Sequence, residues 1–169
     1  MAAGLGAEVT ILDIDMDRLR YLSEILPPNV TPLYSSEDTI RGLIKTADLI
    51  IGAILIPGAK APKLITKEML GEMTKGTVLV DVAVDQGGCF ETSEYTSHSN
   101  PVFIKHGVVH YCVPNIPSRY SRTASVSISN IFTPYLMNIA EEGGFENASR
   151  SNKSLQRGMY FYHGILTNK

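Results

Sequence analysis

Apolar and polar positions alternate along this chain in a way that predicts strands separated by helices. The strongest strand signal covers residues 77–84, a nearly continuous apolar and β-branched run typical of a strand buried on both faces of a parallel sheet. Shorter apolar runs predict further strands at residues 8–13, 30–34, 48–53, 102–104 and 108–113.

Helices are predicted between the first strands. Leu19, Leu22 and Ile25 recur at helical spacing within residues 16–26, and Asp15 precedes that helix as its expected cap. Start signals predict two more helices, at residues 37–45 and 66–73. Strands that alternate with helices of this length predict an α/β fold with a doubly wound parallel sheet.

The pattern changes after about residue 122. A long helix is predicted at residues 124–140 and a shorter one near residues 154–162. We therefore divide the chain into a Rossmann-like nucleotide-binding domain, residues 1–122, and C-terminal helices, residues 123–169.

The chain opens with the pattern of a helix end followed by a strand. Residues 1–7 have the pattern of a last helical turn, and Asp13 ends the strand that follows. A helix that enters a strand ending in an acidic residue forms the second half of a βαβ nucleotide-binding unit. We therefore expect the first strand of the sheet and its glycine-rich turn to be missing from this chain.

Asp13 is the first candidate ligand residue. In a dinucleotide-binding unit, a carboxylate at this place accepts hydrogen bonds from the adenosine ribose and repels the additional phosphate of NADP, which favours NAD. Ser36 precedes a predicted helix, where it either caps the helix or contacts a ligand, and the sequence leaves both readings open.

Asp85 is the second candidate, because it follows the strongest strand directly. Open α/β sheets bind ligands at the carboxyl ends of their strands, and Gly87 and Gly88 allow a sharp turn there. The alternative is a carboxylate that only caps the backbone of the turn. Residues 54–64 form a loop with two prolines at the end of another strand, a second ligand-side feature.

Composition narrows the class of protein. The 169 residues are 44% hydrophobic and 19% charged, as in ordinary globular domains. A net charge of -2 gives no reason to expect nucleic acid or a membrane surface as a partner. Cys89 and Cys112 lack zinc-ligand spacing and are expected to be reduced thiols in a cytoplasmic protein, and His106 and His110 lack partners at metal spacing. No metal site is predicted.

Three segments, taken together, resemble the bacterial alanine dehydrogenase family. They read ILIPGAKAPKL at residues 54–64, VDVAVDQGGCFE at 80–91 and HYCVPNIP at 110–117. The related alpha subunit of proton-translocating transhydrogenase shares the general pattern without the first two motifs. The resemblance implies reversible, NAD-dependent oxidation of L-alanine to pyruvate and ammonia by a homo-oligomer, a hexamer in that family.

The resemblance also implies roles for single residues. Asp85 matches the catalytic carboxylate at the nicotinamide end of the cofactor, and Asp13 matches the acidic residue that binds the adenosine ribose. Arg18 matches a basic residue near the adenosine, and Ser35 a serine that contacts the cofactor. The remaining implied cofactor contacts are Ile54, Leu55, Val82, Ala83, Val84, Asp85, Asn115 and Ile116.

The chain departs from the family pattern in two respects. Pro114 and residues 118–121 differ from the small-residue run that usually surrounds the asparagine. The family's substrate-binding lysine and arginine and its catalytic histidine belong to an N-terminal domain that this chain lacks, which residues 123–169 would help to complete. We expect the chain alone to be inactive. The alternatives are an NAD(H)-binding domain of a transhydrogenase-like protein and a non-catalytic nucleotide-binding fragment.

Overall fold

A computed structural model describes residues 1–56 and 59–167 of the chain, which form two compact units, Met1–Pro114 and Asn115–Lys169. The predicted domain boundary after residue 122 falls within the second unit. None of the helices in the described ranges is long and apolar enough to span a membrane.

The first unit opens with a parallel βαβ arrangement. Strand β1 (Val9–Asp13) leads into helix α1 (Met16–Ile25), and strand β2 (Val30–Tyr34) returns to pair with β1. The Asp15 carboxylate accepts hydrogen bonds from the amides of Asp17 and Arg18, so its predicted capping role is confirmed.

A second sheet follows helix α2 (Glu37–Leu43). Its strands are β3 (Leu49–Gly52), β4 (Val78–Asp81), β5 (Val102–Lys105) and β6 (Val108–Tyr111), in the spatial order β3-β4-β6-β5. All pairs are parallel except β5 with β6, where a short turn allows an antiparallel edge.

The mostly parallel sheets with intervening helices confirm the predicted α/β class. The strand order shows where the two sheets separate. Among the described residues, β1 and β3 each pair with one strand only. The doubly wound order 3-2-1-4-5-6 places its first strand between the second and the fourth. The sheets therefore part where that order puts the strand that we expected to be missing.

Two predicted elements of this unit need correction. Strand β4 ends at Asp81, whereas the apolar run predicted a strand up to residue 84. The Asp81 side chain accepts the Ala83 amide, and the chain turns into a 3-10 turn, Val84–Gln86. The helix predicted at residues 66–73 is only a four-residue 3-10 helix, Met69–Glu72.

The core of this unit lies around β4 and the segments packed beside it. Leu79 at the centre of β4 is fully buried, and Leu12 of β1 packs against the same cluster. Other large side chains in this cluster include Phe90, Met69, Leu70, Ile40 and Ile44. Burial of this kind supplies the main stabilisation of an α/β domain.

The second unit is helical with a terminal hairpin. Helix α3 (Ser121–Glu141) confirms the long helix predicted at residues 124–140. Helices α4 (Phe145–Ser151) and α5 (Lys153–Arg157) follow, and strands β7 (Phe161–Tyr162) and β8 (Ile165–Leu166) pair antiparallel. The helix predicted near residues 154–162 is wrong in its second half, because His163 and Gly164 adopt left-handed conformations that turn the chain into this hairpin.

Candidate functional site

The centre of the candidate site is the turn that follows β4. Asp85 lies in the 3-10 turn, is exposed, and makes no hydrogen bond or ion pair with any described residue. The Ala83 carbonyl accepts the amides of Gln86 and Gly88, each at 2.9 Å. Gly87 and Gly88 have φ values of 94° and 75°, so the expectation that glycine permits the turn is confirmed.

Asp81, not Asp85, caps the backbone of this turn. Its carboxylate is fully buried and accepts hydrogen bonds from the Ala83 amide at 3.1 Å, from the Cys89 amide at 2.9 Å and from the Ser93 hydroxyl. The reading of Asp85 as the capping carboxylate is therefore wrong. Asp85 remains available for a ligand while the turn is held by its neighbour.

The two longest sequence motifs lie side by side. The amide of Ala61 donates to the Gln86 carbonyl at 3.0 Å, and the amide of Leu64 donates to the Cys89 carbonyl at 2.8 Å. A parallel bridge between Ile65 and Phe90 completes the contact. The end of the loop after β3 thus packs along the turn after β4, although Pro57 and Gly58 of that loop lie outside the described residues.

The Lys63 side chain stabilises this contact. Its ammonium donates to the carbonyl oxygens of Gly87, Gly88 and Phe90, the last two at 2.9 and 3.0 Å. A lysine ammonium has three donors, so this set uses all of them.

Asp13 and Ser35 come together at the carboxyl ends of β1 and β2. The Ser35 amide donates to the Asp13 carbonyl at 2.9 Å. Asp13 Oδ1 accepts the Asp15 amide at 3.0 Å, and Oδ2 has no partner in the described part of the chain. Ser36 accepts the Thr39 amide and is the cap of α2, whereas the Ser35 hydroxyl has no described hydrogen bond. Two hydrogen-bonding groups are therefore available at this edge.

The other first-unit candidates differ in exposure. Arg18 lies on α1, with its guanidinium carbon 5.5 Å from the centre of the Tyr21 ring. Leu55 and Val82 are exposed, and Ile54 is half-buried against the core. The last two, Ala83 and Val84, have buried side chains, so they offer a ligand mainly their backbone.

Asn115 and Ile116 belong to the second unit. Asn115 has a φ of 53° and precedes a 3-10 turn, Ile116–Tyr120. Its carbonyl accepts the amide and the hydroxyl of Ser118, at 3.0 and 2.8 Å. Asparagine tolerates this left-handed conformation better than most residues, which accounts for an asparagine between two prolines.

Burial controls the titration of the thiols beside the turn. It raises the pKa of Cys89 above its usual value, and a backbone hydrogen bond from Ile54 offsets part of that effect. Burial likewise raises the pKa of Cys112. Both cysteines are free, as expected, and a thiol of raised pKa is a poor nucleophile, so neither is a candidate for chemistry.

Asp81 and Lys63 are the residues that the sequence analysis missed. Asp81 is the one charged residue in the apolar run at residues 77–84, and that interruption is a signal of a buried capping carboxylate. Lys63 gives no comparable signal, since its partners lie 24 to 27 positions along the chain.

Comparison with known proteins identifies relatives across the whole chain. The family described as "Alanine dehydrogenase/PNT, C-terminal domain" matches residues 1–169. Alanine dehydrogenase 2 of Staphylococcus aureus is 45% identical over 170 residues, which cover 100% of this chain and 45% of the relative. The chain therefore spans less than half the length of the curated relatives it matches.

Solved structures agree with this assignment. An L-alanine dehydrogenase superposes with a TM-score of 0.89 at 42% identity, over 99% of this chain and 46% of that one. A transhydrogenase from Sinorhizobium meliloti gives a TM-score of 0.74 at 24% identity, over 99% and 44%, which is a likeness of fold alone. The match over every residue and the identity to these relatives show that the chain belongs to the alanine dehydrogenase/PNT C-terminal-domain family.

Proposed function

We propose that this chain is the cofactor-binding portion of an NAD-dependent alanine dehydrogenase, which converts L-alanine and NAD reversibly into pyruvate, ammonia and NADH. The observation that carries the proposal is Asp85, an exposed carboxylate without a described partner at the carboxyl end of β4, in a chain of this family. Open parallel sheets bind their ligands at this edge.

The available groups at the ends of β1 and β2 fit the ribose of a dinucleotide. Asp13 Oδ2 can accept a hydrogen bond from a ribose hydroxyl, and the Ser35 hydroxyl can donate or accept one. Arg18, the exposed Leu55 and Val82 would contact other parts of the cofactor. NAD, when bound, supplies the hydride acceptor.

Asp85 would lie at the reacting end. An exposed carboxylate there can accept hydrogen bonds from the substrate, from water or from the cofactor ribose, and can stabilise positive charge that develops during amine oxidation. Asn115 and Ile116 would contact the nicotinamide end of the cofactor. The substrate-binding side chains would come from a part of a longer protein, since the relatives are more than twice as long as the matched chain. We also propose that this longer protein is a homo-oligomer, a hexamer by its resemblance to the family.

The test measures alanine-dependent NADH formation by the full-length protein that carries this chain. Replacing Asp85 with Asn is expected to lower kcat by about 100-fold or more, the usual contribution of a positioned acid–base group. The Asp17→Asn variant is the matched control, because Asp17 is also exposed and its carboxylate pairs, among the described residues, only with Arg20 on α1. Its kcat should equal that of the unmodified protein.

The outcomes separate the candidate functions. Full activity of Asp85→Asn would remove Asp85 from the catalytic site. An unmodified protein that transfers hydride between NADH and NADP but does not oxidise alanine would favour the transhydrogenase-like alternative. A protein that binds NADH and catalyses neither reaction would be a nucleotide-binding module.

A further inference from the structure

The turn that carries Asp85 is held between two opposite charges. On one side, the Lys63 ammonium donates to three carbonyl oxygens of the segment Gly87 to Phe90. On the other side, the buried Asp81 carboxylate accepts the Cys89 amide. The segment Gly87 to Phe90 therefore accepts hydrogen bonds from a cation through its carbonyl oxygens and donates one to an anion through an amide.

We infer that Lys63 and Asp81 are the positioning residues that fix the turn carrying Asp85, an inference that rests on the catalytic role proposed above for Asp85. Neither side chain needs to touch substrate or cofactor for this role. They would act by setting the path of the backbone between β4 and Phe90.

The arrangement of the carbonyl groups supports this role. Three carbonyl oxygens that converge on one point repel each other, and an ammonium at that point makes a charge-assisted hydrogen bond to each. Gly87 and Gly88 adopt the left-handed conformations that aim their carbonyls in this direction. Without the cation, the segment would lose the interaction that favours this path.

The close approach of Gly88 to Asp81 supports the other half of the inference. A Cβ atom on Gly88 would lie 2.6 Å from Asp81 Oδ2, so only glycine lets the backbone reach the carboxylate. The Gly88 amide also donates to the Ala83 carbonyl at 2.9 Å, which closes the turn around Asp85. A shift of Gly88 would therefore move Ala83, the residue that starts the turn.

Both charges also act on the Cys89 thiol. Burial is the main cause of its raised pKa, and among the smaller causes the Asp81 charge raises the pKa further while the Lys63 charge lowers it. The Asp81 and Lys63 charges therefore have opposite effects on a residue of this segment.

Asp85 itself is especially dependent on this support. Its carboxylate makes no hydrogen bond or ion pair within the described ranges, so no described polar partner outside the turn helps to fix its position. A displacement of about 1 Å at a reacting group can cost on the order of 100-fold in rate. Small movements of the turn should therefore lower kcat more than they weaken cofactor binding, because Asp13 ends β1 and Ser35 follows β2, away from this turn.

The experiment replaces Lys63 with Met in the full-length protein, which keeps most of the side chain and removes its three donors. The control is Lys67→Met, four positions further along the same segment, where the ammonium has no described partner. Measurements are kcat and KM for NAD with L-alanine, and hydrogen exchange of the amides in residues 86–90. Asp81→Asn is the second variant, with Ser93→Ala in its place if the asparagine variant does not fold.

We expect Lys63→Met to lower kcat by about 10- to 100-fold, with KM for NAD within about twofold and faster amide exchange in the turn. Lys67→Met should change none of these. An unchanged kcat in Lys63→Met, or unchanged exchange in the turn, would overturn the inference. Failure of the proposed function is distinguishable, because the unmodified protein would then not oxidise alanine at all.

Discussion

Gly52 at the end of β3 packs tightly against Cys89 and Phe90, and its replacement by alanine gives a direct test of this packing. A Cβ atom on Gly52 would lie 2.8 Å from Cys89 Cβ, 2.9 Å from Phe90 Cζ and 3.2 Å from Cys89 Sγ. The backbone of Gly52 is not left-handed, so the cost arises from packing alone. The three close atoms belong to buried side chains, Cys89 and Phe90, which have little room to move.

The structure sets the expected magnitude. Inserting one methyl group into a well-packed core costs about 1–3 kcal/mol in unfolding free energy. A change of 1 kcal/mol shifts Tm by about 2–4 °C for a chain of this size, so Gly52→Ala should lower Tm by about 2–12 °C. Gly42 in α2 is the matched control, because a Cβ atom there meets nothing within 4 Å. Alanine at that helical position should raise stability by up to about 1 kcal/mol.

Thermal unfolding of the purified protein and its two variants measures this difference. The signal should be followed by circular dichroism, with urea unfolding as a second estimate of the free energy. A Gly52→Ala variant as stable as the unmodified protein would refute the described contact of β3 with Cys89 and Phe90. Two variants that shift Tm in the same direction would show that the glycine-to-alanine change itself, not the local packing, governs the result.

Two further predictions concern charge. Replacing Asp13 with Ser should reduce the preference for NAD over NADP by about tenfold or more in kcat/KM, because the repulsion of the additional phosphate is lost, and an unchanged ratio would contradict the ribose assignment. His110 is fully buried, with Nδ1 donating to the Val108 carbonyl and Nε2 accepting from the Thr92 hydroxyl, and burial lowers its pKa. The neutral form therefore stabilises the folded state above the ordinary histidine pKa of about 6.5, and stability should fall as the pH drops through that value. Urea unfolding across pH 5–8 measures this slope, which should be smaller in His110→Gln.

Local signals in the sequence predicted the features that depend on neighbouring residues. Asp15 and Ser36 are helix caps whose partners lie two or three positions away, and α3 follows from its own apolar spacing. The placement of Asp85 after a buried strand followed from the apolar run that precedes it. These features need no knowledge of distant contacts.

The features that the sequence did not predict depend on such contacts. The end of β4 was placed too late because Ala83 and Val84 stay buried after the backbone has left the sheet, so hydrophobicity does not mark the turn. The role of Lys63 depends on carbonyl groups brought to it by folding. The predicted helix ran into β7 because a two-residue strand leaves almost no periodic pattern.

The separation of the two sheets has a consequence for solvent. Backbone hydrogen bonds direct Val9 and Asp13 of β1 towards β2, and Asp48 and Gly52 towards β4. Alternate residues must therefore point the other way. The backbone amides at Thr10, Leu12, Leu49 and Ile51 then lie on the open sides of β1 and β3, where the described part of the chain places no strand. A buried amide without a partner costs about 1–3 kcal/mol, so apolar side chains alone cannot cover these sides. The backbone groups on these open sides must either remain hydrated or form hydrogen bonds with another strand.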